Sequence, residues 1–103
     1  MTDPRPKRDI TRSVLVWRHI KCRLTETRDF MQPGWTQIEI EVVSPKGAPI
    51  PITETGNLAH YLGADELSSA GGVAAFFTSW LDRDAATKRY ATAEFAWRQG
   101  SLF

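Results

Sequence analysis

Cysteine is almost missing from this chain: Cys22 is the only one in 103 residues. A disulfide framework is thereby excluded, and a reducing compartment is the natural setting. Long apolar runs are missing too. The longest, residues 73–77, falls far short of the ~20 residues that a membrane helix needs. Residues 1–12 carry scattered charge and two prolines, with no apolar segment after them of the kind a secretory signal has. The expected location is cytoplasmic, with no membrane partner. An excess of one charge sign is also absent. The formal net charge is +1, so no global field draws the chain to a polyanion.

Residues that carry chemistry are equally sparse. Histidine occurs only at positions 19 and 60. A zinc site needs three or four ligands at recognisable spacing. His19 and Cys22, three apart on a strand, point to opposite faces, which also excludes a Cys–His nucleophilic pair. Asp65, Glu66, Asp82 and Asp84 sit where helix caps and first-turn charges belong, with Asp65 and Asp84 as expected N-caps. Gly71 and Gly72 precede a helix, but neither a phosphate-binding motif nor a basic residue accompanies them. No catalytic residue, cofactor or metal ligand is assigned, and the chain is expected not to be an enzyme.

The composition, 42% hydrophobic and 11% aromatic, suits one folded domain. Residues 13–25 and 35–44 alternate with period two, the mark of strands half in a core and half in water. In the first, Val14, Val16, Ile20, Cys22 and Leu24 share the apolar side, against Trp17, His19, Lys21 and Arg23. In the second, Ile38, Ile40 and Val42 oppose Gln37, Glu39 and Glu41. Superposing the apolar faces pairs even positions with even ones and sets Lys21 and Arg23 beside Glu39 and Glu41. Pro33-Gly34 suits the centre of a type II turn.

Residues 48–53, with Pro49 and Pro51, read as a short edge strand or an extended loop. Residues 57–62 read as a short helix ended by Gly63, and 65–70 as another. Val73, Phe76, Phe77, Trp80 and Leu81 form a core-facing helical stripe. A last helix starts at Asp84 and runs to about Gln99. The sum is an α+β domain over residues 12–103, a two- or three-stranded antiparallel meander packed against two main C-terminal helices. A flexible basic arm, residues 1–11, precedes it.

Two surfaces stand out. In the last helix Ala86, Tyr90, Ala93 and Trp97 form one stripe, and Phe95 falls nearly opposite. Either residues 101–103 fold back over Phe95, or Phe95, Leu102 and Phe103 make an apolar patch for another protein or a second copy; the acidic segment 64–84 offers a further contact surface. The alternative partner is nucleic acid. Arg5, Lys7, Arg8 and Arg12, with Trp17, Lys21 and Arg23 on the strand face, would combine cations with a stacking aromatic. Residues 1–30 hold eight Lys/Arg against four Asp/Glu. Glu39 and Glu41 beside those cations oppose a polyanion, so protein–protein contact leads.

Residues 44–62, SPKGAPIPITETGNLAHYL, and 94–103, EFAWRQGSLF, resemble small proteins carried on bacterial plasmids and integrative mobile elements. The resemblance implies a short cytoplasmic accessory that acts by binding, such as a modulator or inhibitor of a host system. It brings no catalytic motif, cofactor or site residue.

Overall fold

The computed structural model describes residues 9–53 and 55–100 of the chain. Where the alternation suggests one long first strand, there is a hairpin. β1 (Asp9–Trp17) and β2 (Ile20–Arg28) are joined by Arg18 and His19, at φ 55° and 91°. A two-residue loop with both residues left-handed has the twist that matches its flanking strands. Neither residue is the glycine or asparagine that usually marks such a turn. The Arg18 guanidinium lies 4.7 Å above the Trp17 ring, a cation–π contact that clasps the loop.

The turn reverses the parity of β1. Ile20, Cys22 and Leu24 face the core as expected, but their partners across the hairpin are Trp17, Leu15 and Ser13. Trp17, expected on the outer face, is therefore buried. Val14 and Val16, expected inside, oppose Arg23 and Lys21 on the outer face and are exposed. Period-two counting cannot carry across a tight turn, because the two strands restart their alternation independently.

The next connection follows the sequence closely. The Trp35 N–H donates to the Gln32 carbonyl at 3.4 Å, and Gly34 has φ 85°, as a type II turn requires. β3 (Trp35–Ser44) then pairs with β2 in even-to-even register: Leu24 faces Ile40, and Cys22 faces Val42. A bulge skips Val43 and sets Lys21 against Ser44.

Residues 48–53 form a loop rather than a third strand. Ile50 makes one isolated bridge to Thr53, and Ala48 and Ile50 plug into the core. The remaining strand is β4 (Asn57–Gly63), where a short helix is expected from sequence. Seven residues with Leu58 and Leu62 apolar fit a helical turn and a strand equally well. Pairing with β3 settles the matter by turning Leu58, His60 and Leu62 inward. The sheet is a four-stranded antiparallel meander in the order β1-β2-β3-β4.

Three helices, α1 (Ala64–Ala70), α2 (Val73–Asp84) and α3 (Lys88–Gly100), lie on the inner face. The stripe on α2 packs as its spacing predicts, with Phe77 and Leu81 fully buried. Both expected caps are corrected. Helix α1 starts from Gly63 without a side-chain cap, because Asp65 already lies in its first turn. Helix α3 is capped by Thr87, whose Oγ1 accepts the Tyr90 N–H at 3.2 Å. Asp84 closes α2 and accepts the Trp80 indole N–H at 3.1 Å. One sheet under one helical layer gives a body only 18 Å thick along its shortest axis.

Candidate binding surface

The sheet's outer face carries no helix, and pairing arranges its side chains in rows. One row runs Val14, Arg23, Glu41 and Asn57. The next runs Arg12, Thr25, Glu39 and Ala59, and the third Ile10, Thr27, Gln37 and Tyr61. Lys21 and Arg23 point outward as the alternation predicts, and Arg23 meets Glu41 at 3.1 Å. Both partners are largely in water, so the pair contributes little stability, about 0.2–1 kcal/mol. Its effect is to fix register and to neutralise the cation. A shallow depression of about 410 Å³ lies over Arg12, Arg23, Thr25, Glu39 and Glu41, and its walls carry both charge signs.

From the third row onward, this end of the face is aromatic. The Tyr61 ring packs against Phe30 with centroids 5.7 Å apart, and its hydroxyl accepts from the Gln37 amide at 3.1 Å. Trp35 stands on the same face at the head of β3, opposite Gly63. Trp35 is 45% exposed and Tyr61 51%, and Met31 at the loop tip is exposed too. Large apolar side chains gathered in water mark contact surfaces more often than chance. Sequence reasoning passed over this cluster. Trp35 was legible, since it occupies an odd position in a strand whose even residues face inward. Tyr61 was not, because it needs 57–63 to be a strand.

The residues singled out from sequence scatter. Trp17 is in the core, with its indole N–H donating to Asp82 Oδ1 at 2.8 Å and its ring edge-on to Tyr90 at 5.8 Å. It cannot stack on a base. Arg12, Lys21 and Arg23 share the outer face, whereas Arg5, Lys7 and Arg8 lie outside the described residues. Phe95 on α3 is 65% exposed, and Leu102 and Phe103 also lie outside the described residues. His60 sits on β4 rather than a helix, stacked on Phe76 at 5.6 Å and edge-on to Trp80 at 5.2 Å. Among the described residues no group of three His, Cys, Asp or Glu is placed to hold a metal ion. None of the described helices is long and apolar enough to cross a membrane. A cleft of about 270 Å³ separates α3 from the 49–53 loop, lined by Pro49, Pro51, Ile52, Arg89, Tyr90 and Ala93.

Cys22 is fully buried on the inner face of β2, and burial pushes its thiol above the ordinary value of 9.0. Burial likewise raises Tyr90, helped by the charge of Glu94. Both groups are neutral at pH 7 in either state, so stability from this source is intact there. It is lost as pH climbs from the unfolded-state values towards the raised folded ones. Two results are expected: a fall in urea midpoint above about pH 9, smaller in Cys22→Ala, and no labelling of the native thiol at pH 7. Rapid labelling of folded protein by a thiol reagent would contradict the burial.

A four-stranded meander roofed by helices on one side and open on the other defines a small one-sided α+β domain. The chain belongs to the family described as KlcB third domain, whose model matches residues 10–90. KlcB is a plasmid-borne protein, in keeping with the plasmid-type resemblance of residues 44–62. No curated protein and no solved structure matches the chain.

Proposed function

We propose that this chain is a non-enzymatic accessory that works by protein–protein contact, with its partner seated on the aromatic end of the open sheet face. The observation that carries this is the exposure of Trp35 and Tyr61 on the paired strands β3 and β4, with Phe30 packed on Tyr61 and the exposed Met31 next to Phe30 in the chain. Tyr and Trp anchors of this kind supply most of the binding energy in many interfaces. In KlcB the corresponding unit is one domain among several, a setting in which contact surfaces matter. A plasmid-borne modulator of a host system is the biological role that fits. Phe95, on α3, is a separate exposed aromatic and the second candidate anchor.

The test compares proteins recovered from host cells by the wild type, by Trp35→Ala/Tyr61→Ala and by Phe95→Ala, each checked for an unchanged melt. A partner held by the wild type and weakened roughly 30-fold or more in the double variant is expected, as for loss of a central aromatic anchor. The same partners at the same yield from all three would overturn the assignment. The nucleic-acid alternative loses its stacking residue with Trp17 buried, and Arg23 is engaged by Glu41. Oligonucleotide binding that weakens steeply with salt would restore it.

A further inference from the structure

The two edges of the sheet are finished differently. At β4 the outward carbonyl of Asn57 accepts hydrogen bonds from the hydroxyls of Thr53 and Thr55, at 2.9 and 3.1 Å. That edge strand is seven residues long and leads directly into α1. β1, at the other edge, is nine residues long, and its pairing with β2 runs without a register shift. It contains no proline. Its first six residues are exposed, so the helical layer does not reach them. Val14 and Val16 on its outer face are 59% and 65% exposed. Proteins usually blunt a long exposed edge with proline, bulges or charge, since its N–H and C=O groups will pair with another strand; here Arg12 is the one charged residue among the four even positions of β1.

Which groups are free follows from the hairpin. Trp17 and Ile20 flank the two-residue turn and form its closing hydrogen-bonded pair. The odd residues of β1 therefore bond to β2. The N–H and C=O groups of Ile10, Arg12, Val14 and Val16 point away from the sheet. A strand added antiparallel at this edge must match these even positions.

We propose that the occupant is a second copy of this chain, with β1 pairing antiparallel to the β1 of that copy about a twofold axis at Ser13. Ser13 is the midpoint of Asp9–Trp17, so this register pairs all nine residues of each strand. It sets Ile10 opposite the partner's Val16 and Arg12 opposite the partner's Val14, giving about eight main-chain hydrogen bonds over the four even-numbered pairs. A shift of two in one direction would oppose Arg12 to itself, which like-charge repulsion disfavours. A shift in the other direction runs Ile10 past the strand into the Arg18 turn. The two sheets then form one eight-stranded platform with Val14 and Val16 near its middle. The dimer stands apart from the partner surface above, since Trp35 and Tyr61 lie on the far strands and stay open.

The experiment measures mass in solution across a concentration series for the full chain and four variants. The wild type is expected to be a dimer. Val14→Pro removes an N–H that the β1–β2 ladder does not use, so it should fold and be monomeric. Val14→Lys, placed opposite the partner's Arg12, should weaken the dimer roughly tenfold, whereas Val14→Glu should keep or tighten it. At the axis the two Ser13 residues form a non-hydrogen-bonded pair with Cα atoms about 4.5 Å apart, within disulfide reach. Ser13→Cys should therefore cross-link into a covalent dimer under mild oxidation, even if Val14→Pro fails to fold. A wild type that stays monomeric at every concentration would overturn the proposal. So would a folded Val14→Pro that still dimerises, equal losses from Lys and Glu at position 14, or a Ser13→Cys protein that does not cross-link. Partner recovery in cells uses different residues, so failure here leaves the function tested above intact.

Discussion

Replacing Trp17 by alanine is expected to remove about 3–5 kcal/mol of folding stability, much of the ~5–15 kcal/mol that a domain possesses. The side chain sits at the last position of β1, buried, where three elements meet. Its ring lies under the Arg18 guanidinium, its edge meets Tyr90 of α3, and its N–H reaches Asp82 of α2. Tyr90, with the half-buried Trp97, packs α3 onto the core, so the loss should fall heavily on that helix. Urea denaturation followed by far-ultraviolet circular dichroism measures the total, and amide exchange along α3 locates it. Trp17→Phe keeps one aromatic ring and loses the N–H donor together with part of the indole's bulk. It should cost about 1.5–3 kcal/mol, the typical value of one hydrogen bond to a charged acceptor, and less than Trp17→Ala in the same series. If Trp17→Ala lost less than about 1 kcal/mol, the residue would behave like a surface site, and its place in the core would be wrong. The outcome also bears on function. Weakened oligonucleotide binding in Trp17→Ala would report unfolding, and the informative variants on that question are Lys21→Ala and Arg23→Ala.

Period two in residues 35–44 was legible because a single strand covers the whole window, with Ile38 and Ile40 inward and Glu39 and Glu41 outward. The stripe on α2 was legible for the same reason, since twelve residues show more than three helical turns. The failures occur where a local signal is short or missing. Arg18-His19 makes a tight turn without the glycine or asparagine that would announce it, so one apparent strand concealed two and the sides of Val14, Val16 and Trp17 were exchanged. At 57–63 the pattern is too brief to separate strand from helix, and contact with β3 decides it. The binding surface inherits both errors. The alternation puts its valines in the core and the local pattern puts Tyr61 on a helix, while the one aromatic that alternation puts on the outer face, Trp17, is a core residue. The charged pair Arg23–Glu41 was predicted correctly because it depends only on β2 and β3, whose parities were both right.

Phe77→Ala is the second large effect expected, again about 3–5 kcal/mol. Phe77 has no exposed surface. It lies on the buried side of α2, parallel to Trp80 with centroids 6.3 Å apart and edge-on to Phe76 at 6.0 Å. The core it joins includes Leu24, Ile38, Ile40 and Leu62, one or two from each of β2, β3 and β4. Loss of the ring opens a cavity under the helix that the neighbouring strands, held by their ladders, cannot close. The added cost follows from that rigidity. Phe77→Leu keeps an apolar group of similar bulk and should cost less than about 1.5 kcal/mol. One turn face away, Phe76 is only partly buried and stacks on His60, so Phe76→Ala should lose clearly less than Phe77→Ala in the same denaturation series. Equal losses at 76 and 77 would mean that α2 is rotated about its axis from the placement that buries Phe77 and Leu81. That rotation would turn a different face of the helix onto β2, β3 and β4.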